Sequence, residues 1–245
     1  MLKNIYLGFK FSFSYFSLLP VPFRESDDLS NRETLGAMLL FFPFVGIVLG
    51  IGTVVLFSFL DHLGWYGALF SAVVYMMMYG FLHTEAIIDV ADALYASHSQ
   101  KDAYEIIKEP TVGAMGVLYV VTLVILKLAG IVYLFEHDLF VEFIAVLVVS
   151  RLSLLMLFKV HTFRSSFATQ LKNALTAPYL ITAFLFFSVL GTLFLTPFIL
   201  LLIMGLLLAL LISFTLKKKL SFVNGDVLGA TLEGVEILLL LGVAL

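Results

Sequence analysis

The sequence predicts an all-α polytopic membrane protein of about seven transmembrane helices with additional interfacial helices, forming a single domain over residues 1–245. Three observations carry this expectation. The chain is 62% hydrophobic and 13% charged, against roughly 45–50% and about 25% in soluble domains. It contains a series of apolar runs close to the ~20 residues that cross a bilayer. Its basic residues also fall in alternate connections between those runs.

The elements follow in order. Residues 1–19 place Lys3 and Lys10 among many aromatic residues and read as an amphipathic helix lying in the interface. Leu19-Pro20-Val21-Pro22 stops it. The polar turn from Arg24 to Arg32 leads into apolar runs at 36–60, 65–82, 112–134, 139–158, 179–195, 197–216 and 227–245. The connection from His83 to Thr111 reads as two short helices broken near Ser97-His98-Ser99. In the second of these, Tyr104, Ile106 and Ile107 pack opposite Lys101, Asp102 and Glu105. No linker, low-complexity tract or internal repeat interrupts the chain.

Orientation follows from counting bases. Lys3, Lys10, Arg24 and Arg32 precede the first run; Lys101 and Lys108 follow the second; Lys159, Arg164 and Lys172 follow the fourth; Lys217, Lys218 and Lys219 follow the sixth. The alternate connections hold neither Lys nor Arg. All twelve bases outside the runs thus gather on one side, expected to be cytoplasmic, with the N-terminus on that side. The expected location is the inner membrane. The N-terminus lacks the short apolar core and small-residue cleavage site of a signal peptide. With no Cys, disulfide and thiolate chemistry are excluded, and a net charge of −3 leaves no nucleic-acid footprint. The composition leaves oligomeric state open, a homo-oligomer included.

His83-Thr84-Glu85-Ala86-Ile87-Ile88-Asp89-Val90-Ala91-Asp92 is the stretch that points to chemistry. At ~100° per residue Glu85, Asp89 and Asp92 fall within an arc of about 60° on a helix, with Ile87, Val90 and Leu94 opposite. Three carboxylates on one face repel one another unless a cation neutralises them, and no Lys or Arg lies between His62 and Lys101. A solvated acidic face is the bland alternative. The preferred reading is a divalent-metal site at a membrane surface, with Mg²⁺ completed by waters and substrate phosphates. Mg²⁺ disfavours imidazole, so His83 is read as a base, a substrate hydrogen bond or an interfacial cap.

Other polar groups collect on the same side. In Asn224-Gly225-Asp226, Asp226 is either a cap for the last helix or a further carboxylate for the site. Lys108-Glu109-Pro110-Thr111-Val112-Gly113-Ala114-Met115-Gly116 joins a cation, an acid, a helix-initiating proline and two glycines that permit close approach to a helix or a phosphate. Lys127, Arg151, Glu142, Glu233 and Glu236 lie inside apolar runs, where charge is costly unless paired or facing a wet cavity. Glu233 and Glu236 either pair with Lys127 or Arg151, or line a polar substrate cleft.

Taken together these motifs resemble the adenosylcobinamide-GDP ribazoletransferase (cobalamin synthase) family, nearly end to end. Leu19-Pro20-Val21-Pro22 and Phe42-Pro43-Phe44-Val45-Gly46 are similar to two family elements. His83 to Ala93 is similar to the signature His-x-Asp-Gly-x-x-Asp-x-x-Asp-Gly, with Glu85 for the first Asp and Ala86 and Ala93 for the glycines. Lys108 to Gly116 is similar to Lys-Asp-Ser-Arg-x-Gly-x-x-Gly, with Pro110-Thr111 for Ser-Arg. Gly225 to Glu236 matches the closing Gly-Asp-x-x-Gly-Ala-x-x-Glu-x-x-Glu, and Arg151 and Arg164 fall at family arginines.

The resemblance implies a Mg²⁺-dependent transferase that joins α-ribazole, or its 5′-phosphate, to adenosylcobinamide-GDP with release of GMP. It implies metal ligation by Glu85, Asp89, Asp92 and Asp226, with His83, Asp89, Asp92 and Asp226 as catalytic candidates. It further implies substrate contacts from Lys108, Glu109, Arg151, Arg164, Asn224, Glu233 and Glu236. The competing readings are another Mg²⁺-dependent membrane phosphotransferase of the CDP-alcohol type, whose full Asp-Gly-x-x-Ala-Arg sequence is absent, and a cation-coupled transporter. Transporter sites favour the bilayer midplane between repeats, and no repeat is visible here.

Overall fold

The structure, a computed structural model, describes residues 2–95, 102–108 and 111–245. Most of these residues are helical, with no strand among them. In chain order the helices are α1 Leu2–Phe16, α2 Arg32–Leu40, α3 Phe42–Leu60, α4 Trp65–Met78, α5 Leu82–Tyr95 and α6 Ala103–Ile106. Then come α7 Ala114–Glu136, α8 Phe140–Val160, α9 Ser166–Ala174, α10 Ala177–Phe194, α11 Phe198–Leu220 and α12 Gly225–Ala244.

Six helices (α3, α7, α8, α10, α11 and α12) are long and apolar enough to cross a membrane, and α4 with α5 makes a seventh crossing if the bent pair is one span. Their ends lie close to the expected runs, with two corrections. The run 36–60 is not one helix: α2 ends at Leu40, and Phe41 caps both it and α3, where Pro43 sits in the first turn. Proline needs no backbone donor there, so it starts a helix more readily than it continues one.

The second correction matters more. The helix expected over 65–82 stops at Met78, and α5 departs from α4 at 80°. Gly80 (φ +68°) and Phe81 (φ +54°) both take the left-handed conformation at this break. Glycine adopts it freely, whereas a bulky residue is held there by its surroundings. The carbonyl of Met78, left over by the end of α4, accepts the backbone N–H of Leu18 from the segment after α1 (2.7 Å). Satisfying such a group within the protein is what allows a helix to break at membrane depth. The acidic helix therefore leaves α4 at a sharp angle rather than continuing its axis.

Burial separates the centre of the bundle from its rim. The most apolar windows of α8 and α12 are 72% and 67% buried, that of α10 only 11%. Helix α12 packs against α5, α7, α8 and α11. Close approach is permitted by small residues: a Cβ on Gly205 of α11 would lie 2.4 Å from Val149 on α8, and one on Gly130 of α7 would lie 3.0 Å from Leu240 on α12. Helix α1 lies along α2, where a Cβ on Gly8 would meet that of Ala37 at 2.4 Å. Helix α9 was not anticipated. It is a short amphipathic helix, capped by the Ser165 side chain, burying Ala168, Leu171 and Ala174.

Candidate active site

Helices α5 and α12 run antiparallel, and their register builds the site. Near the start of α5, the Thr84 hydroxyl donates to Glu233 (3.3 Å). Half a turn on, Ala86 faces Gly229, so closely that a Cβ on Gly229 would lie 2.9 Å from the Ala86 Cβ. One turn further brings Asp89 opposite Asp226, and the Asp89 carboxylate feels the negative charges of Asp226, Glu85 and Asp92. The acidic face expected from α5 alone is thus completed from the N-terminus of α12. Asp226 is not the cap of that helix. Asn224 is: its side-chain oxygen accepts the Val227 N–H (3.0 Å), while its amide donates to Asp226 Oδ2 (2.7 Å).

Asp92 is turned toward α7. Its Oδ2 accepts the Gly113 N–H (2.6 Å) and its Oδ1 the Gly116 N–H (2.7 Å), so it closes the exposed start of that helix. The two glycines approach a helix. A Cβ on Gly116 would sit 2.6 Å from Asp92 Oδ2 and 2.7 Å from the Ile88 side chain. Gly116→Ala is expected to push α5 off α7 and cost about 1–3 kcal/mol, read as a lowered Tm in detergent.

Glu85 is exposed and Asp89 half-buried, and neither has a hydrogen bond or ion pair among the described residues. Among those residues no group of three His, Asp or Glu side chains could hold a metal ion by itself. The donors nevertheless fit a hard cation of the Mg²⁺ kind, which prefers one or two carboxylates plus waters and substrate phosphates to a complete protein cage.

His83 stands beside this acidic group. Its ring stacks on Tyr79 (centroids 6.5 Å) and lies 6.1 Å from Phe16 and 6.2 Å from Phe42. With Asp226 it lines a cavity of about 150 Å³ between α1, α2, α5, α8, α9 and α12.

Two basic residues meet across an aromatic ring. Lys108 Nζ lies 4.2 Å and Arg164 Cζ 4.1 Å from the centroid of Tyr104, which packs edge-on against Phe222 at 5.1 Å. Cations near the face of a ring are held electrostatically. The Arg164 guanidinium also pairs with Asp102 (2.9 Å), and the backbone N–H of Arg164 donates to the Val223 carbonyl (2.9 Å), three residues before Asp226. That arginine and the Tyr104 N–H hold the Asp102 carboxyl below the usual range. Tyr104 was read only as a packing residue. Glu109 lies outside the described residues, as does the expected break near Ser97-His98-Ser99.

Arg151, Glu233 and Glu236 do not join the acidic group. Deeper in the bundle, Lys127 Nζ lies 2.6 Å from Glu233 and 2.9 Å from Glu236, and Arg151 donates to Glu236 at 3.1 Å. Tyr75 and Ser150 donate to the same Glu236 carboxylate (2.7 and 3.1 Å). All four charged residues are buried, and two cations balance two anions. Pairing, the first of the two expected alternatives, is the arrangement found.

A family model described as cobalamin-5-phosphate synthase matches residues 8–244. The chain belongs to the cobalamin-5-phosphate synthase family. Among curated relatives of this cobalamin-5-phosphate synthase family member, an adenosylcobinamide-GDP ribazoletransferase of Clostridium perfringens (strain SM101 / Type A) is 30% identical over 258 aligned residues, covering 99% of this chain and all of the relative. Proteins of the same description from Brevibacillus brevis (29% identical, 96% of each chain) and Chlorobium phaeovibrioides (30% identical, 90% of each chain) are also similar. No solved structure matches.

Proposed function

We propose that this protein is an adenosylcobinamide-GDP ribazoletransferase: it joins α-ribazole or α-ribazole 5′-phosphate to adenosylcobinamide-GDP and releases GMP, completing the nucleotide loop of the cobalamin. One observation carries the reading at the level of this chain. In a chain whose family match and relatives run nearly end to end, α5 and α12 bring Glu85, Asp89 and Asp226 near one another with no Lys or Arg paired to them among the described residues.

In the reaction a ribose hydroxyl oxygen forms a bond to the phosphorus nearest the corrinoid. The bond from that phosphorus to the bridging oxygen breaks, and the bridging oxygen leaves on GMP. Lys108 and Arg164, held on Tyr104 beside the start of α12, bind the diphosphate. His83 or an acidic side chain next to it takes the hydroxyl proton. One or two of Glu85, Asp89 and Asp226 would hold Mg²⁺ together with waters and substrate phosphates, and the ion would supply positive charge against the reacting and leaving phosphates. Asp92 fixes the distance between α5 and α7, with lone pairs remaining toward the same cluster. The clustering of basic residues in alternate connections supports a site on the cytoplasmic face of the inner membrane, where water-soluble substrates would reach it.

The test uses detergent-purified protein with adenosylcobinamide-GDP, α-ribazole 5′-phosphate and Mg²⁺. GMP and the nucleotide-looped corrinoid are expected to appear together, to vanish on chelation of divalent cations and to return when Mg²⁺ is added back. Absence of both products sinks the assignment; products undiminished by chelation sink the role of magnesium.

A further inference from the structure

The cavity shared by His83 and Asp226 is walled by rings. Tyr15 and Phe16 enter from the last turn of α1, Phe158 from α8 and Phe167 from α9. Tyr15 lies 4.9 Å from Phe16 and 5.7 Å from Phe167, centroid to centroid, so the wall is continuous. Polar side-chain groups are few: His83 on α5, Asp226 on α12, Ser165 at the start of α9 and the Tyr15 hydroxyl on α1. The Ser165 oxygen already accepts the Ala168 N–H (3.4 Å). Burial, and after it the negative charge of Asp226, push the Tyr15 phenol above its usual range.

This lining selects by chemistry. About 150 Å³ is far too small for a corrin macrocycle and suits a fused pair of small rings. A guanine would fit by shape. Its donor and acceptor edge, however, would be buried against phenyl rings with too few partners, and unpaired polar groups are what such sites reject most strongly. A flat base with little polar edge loses nothing there and gains aromatic stacking.

We propose that this cavity seats the planar, weakly polar heterocyclic base of the nucleoside acceptor, with Phe167 and Tyr15 setting which base is accepted. The inference rests on the ribazoletransferase reading. It leaves the ribose at the polar end, between His83 and Asp226, where its hydroxyls face the acidic group on α5.

The experiment measures KM separately for α-ribazole and for adenosylcobinamide-GDP in the wild type, Phe167→Ala, Phe167→Leu and Tyr15→Leu, all in detergent with Mg²⁺. Loss of one stacking face is expected to raise KM for α-ribazole roughly tenfold, with KM for adenosylcobinamide-GDP changed less than about twofold. Phe167→Ala is also expected to shift relative kcat/KM toward ribosides of bulkier fused-ring bases, which general loosening of the fold does not do. Phe167→Leu and Tyr15→Leu keep apolar volume, so they report even where the alanine variant folds poorly. Unchanged KM for α-ribazole in both leucine variants, or a rise confined to adenosylcobinamide-GDP, overturns the assignment. Failure of the wild type to release GMP from adenosylcobinamide-GDP in the presence of α-ribazole defeats the underlying function instead.

Discussion

Asp89→Asn is expected to yield a folded protein that releases GMP at least about 10²-fold more slowly, in the range lost when a positioned charged group is removed from a phosphoryl-transfer site. The substitution is close to isosteric, and Asp89 has no hydrogen-bond partner among the described residues to strand. Three like charges surround it, so its neutralisation removes repulsion and leaves stability within about 0.5 kcal/mol of the wild type or raises it. Activity and thermal melting measured on the same preparation separate the two effects. A variant that melts normally yet retains turnover within a few-fold would remove Asp89 from the chemistry. Loss of turnover only at limiting Mg²⁺, restored at high Mg²⁺, identifies the missing interaction as one with the cation.

Lys127→Met is expected to have the largest effect on stability, about 3–5 kcal/mol, because it leaves Glu233 and Glu236 buried with Arg151 as their one remaining cation. Breaking a buried ion pair costs far more than the pair itself contributes, since the abandoned charge has no water to turn to. Lys127→Met combined with Glu233→Gln restores charge balance and is expected to recover much of the loss. The coupling is read from a double-mutant cycle of melting midpoints in detergent. Additive losses would mean that Lys127 serves by packing and not by charge.

Hydropathy and charge reveal the spans well because each rests on a large free-energy difference. A lipid-exposed helix cannot hide a lysine, and a connection cannot hide twenty leucines. The breaks are subtler. Across Met76 to Leu82 the sequence is apolar throughout, so a hydropathy reading runs straight through Gly80, where the chain turns by 80°. Only the glycine signalled the turn, and a glycine in an apolar helix serves packing as readily as bending. The acidic face of α5 was visible from spacing within one helix. Its completion by Asp226 depended on the Ala86–Gly229 crossing, a long-range contact that no local pattern encodes. The hydrogen bonds of Asp92 and the choice between the two roles expected of Asp226 were equally illegible in the sequence. Asp92 closes the start of α7, whereas Asn224 caps α12, leaving Asp226 for the cluster. Tyr15, Phe167 and Tyr104 escaped notice for a simpler reason. In a chain with 25 Phe and 10 Tyr, an aromatic residue carries little information until its neighbours are known.

The Lys127–Arg151–Glu233–Glu236 quartet also constrains how the chain is made. Lys127 precedes Glu233 by 106 residues, and Arg151 precedes Glu236 by 85. A ribosome adds that much chain in roughly 5–20 s. Throughout this interval α7 and α8 carry cations whose counter-ions have not been synthesised. Synthesis of α12 is therefore what supplies Lys127 and Arg151 with the carboxylates they pair with in the finished bundle. A chain cut short before residue 225 is expected to pack poorly, because both cations would then be buried without a counter-charge.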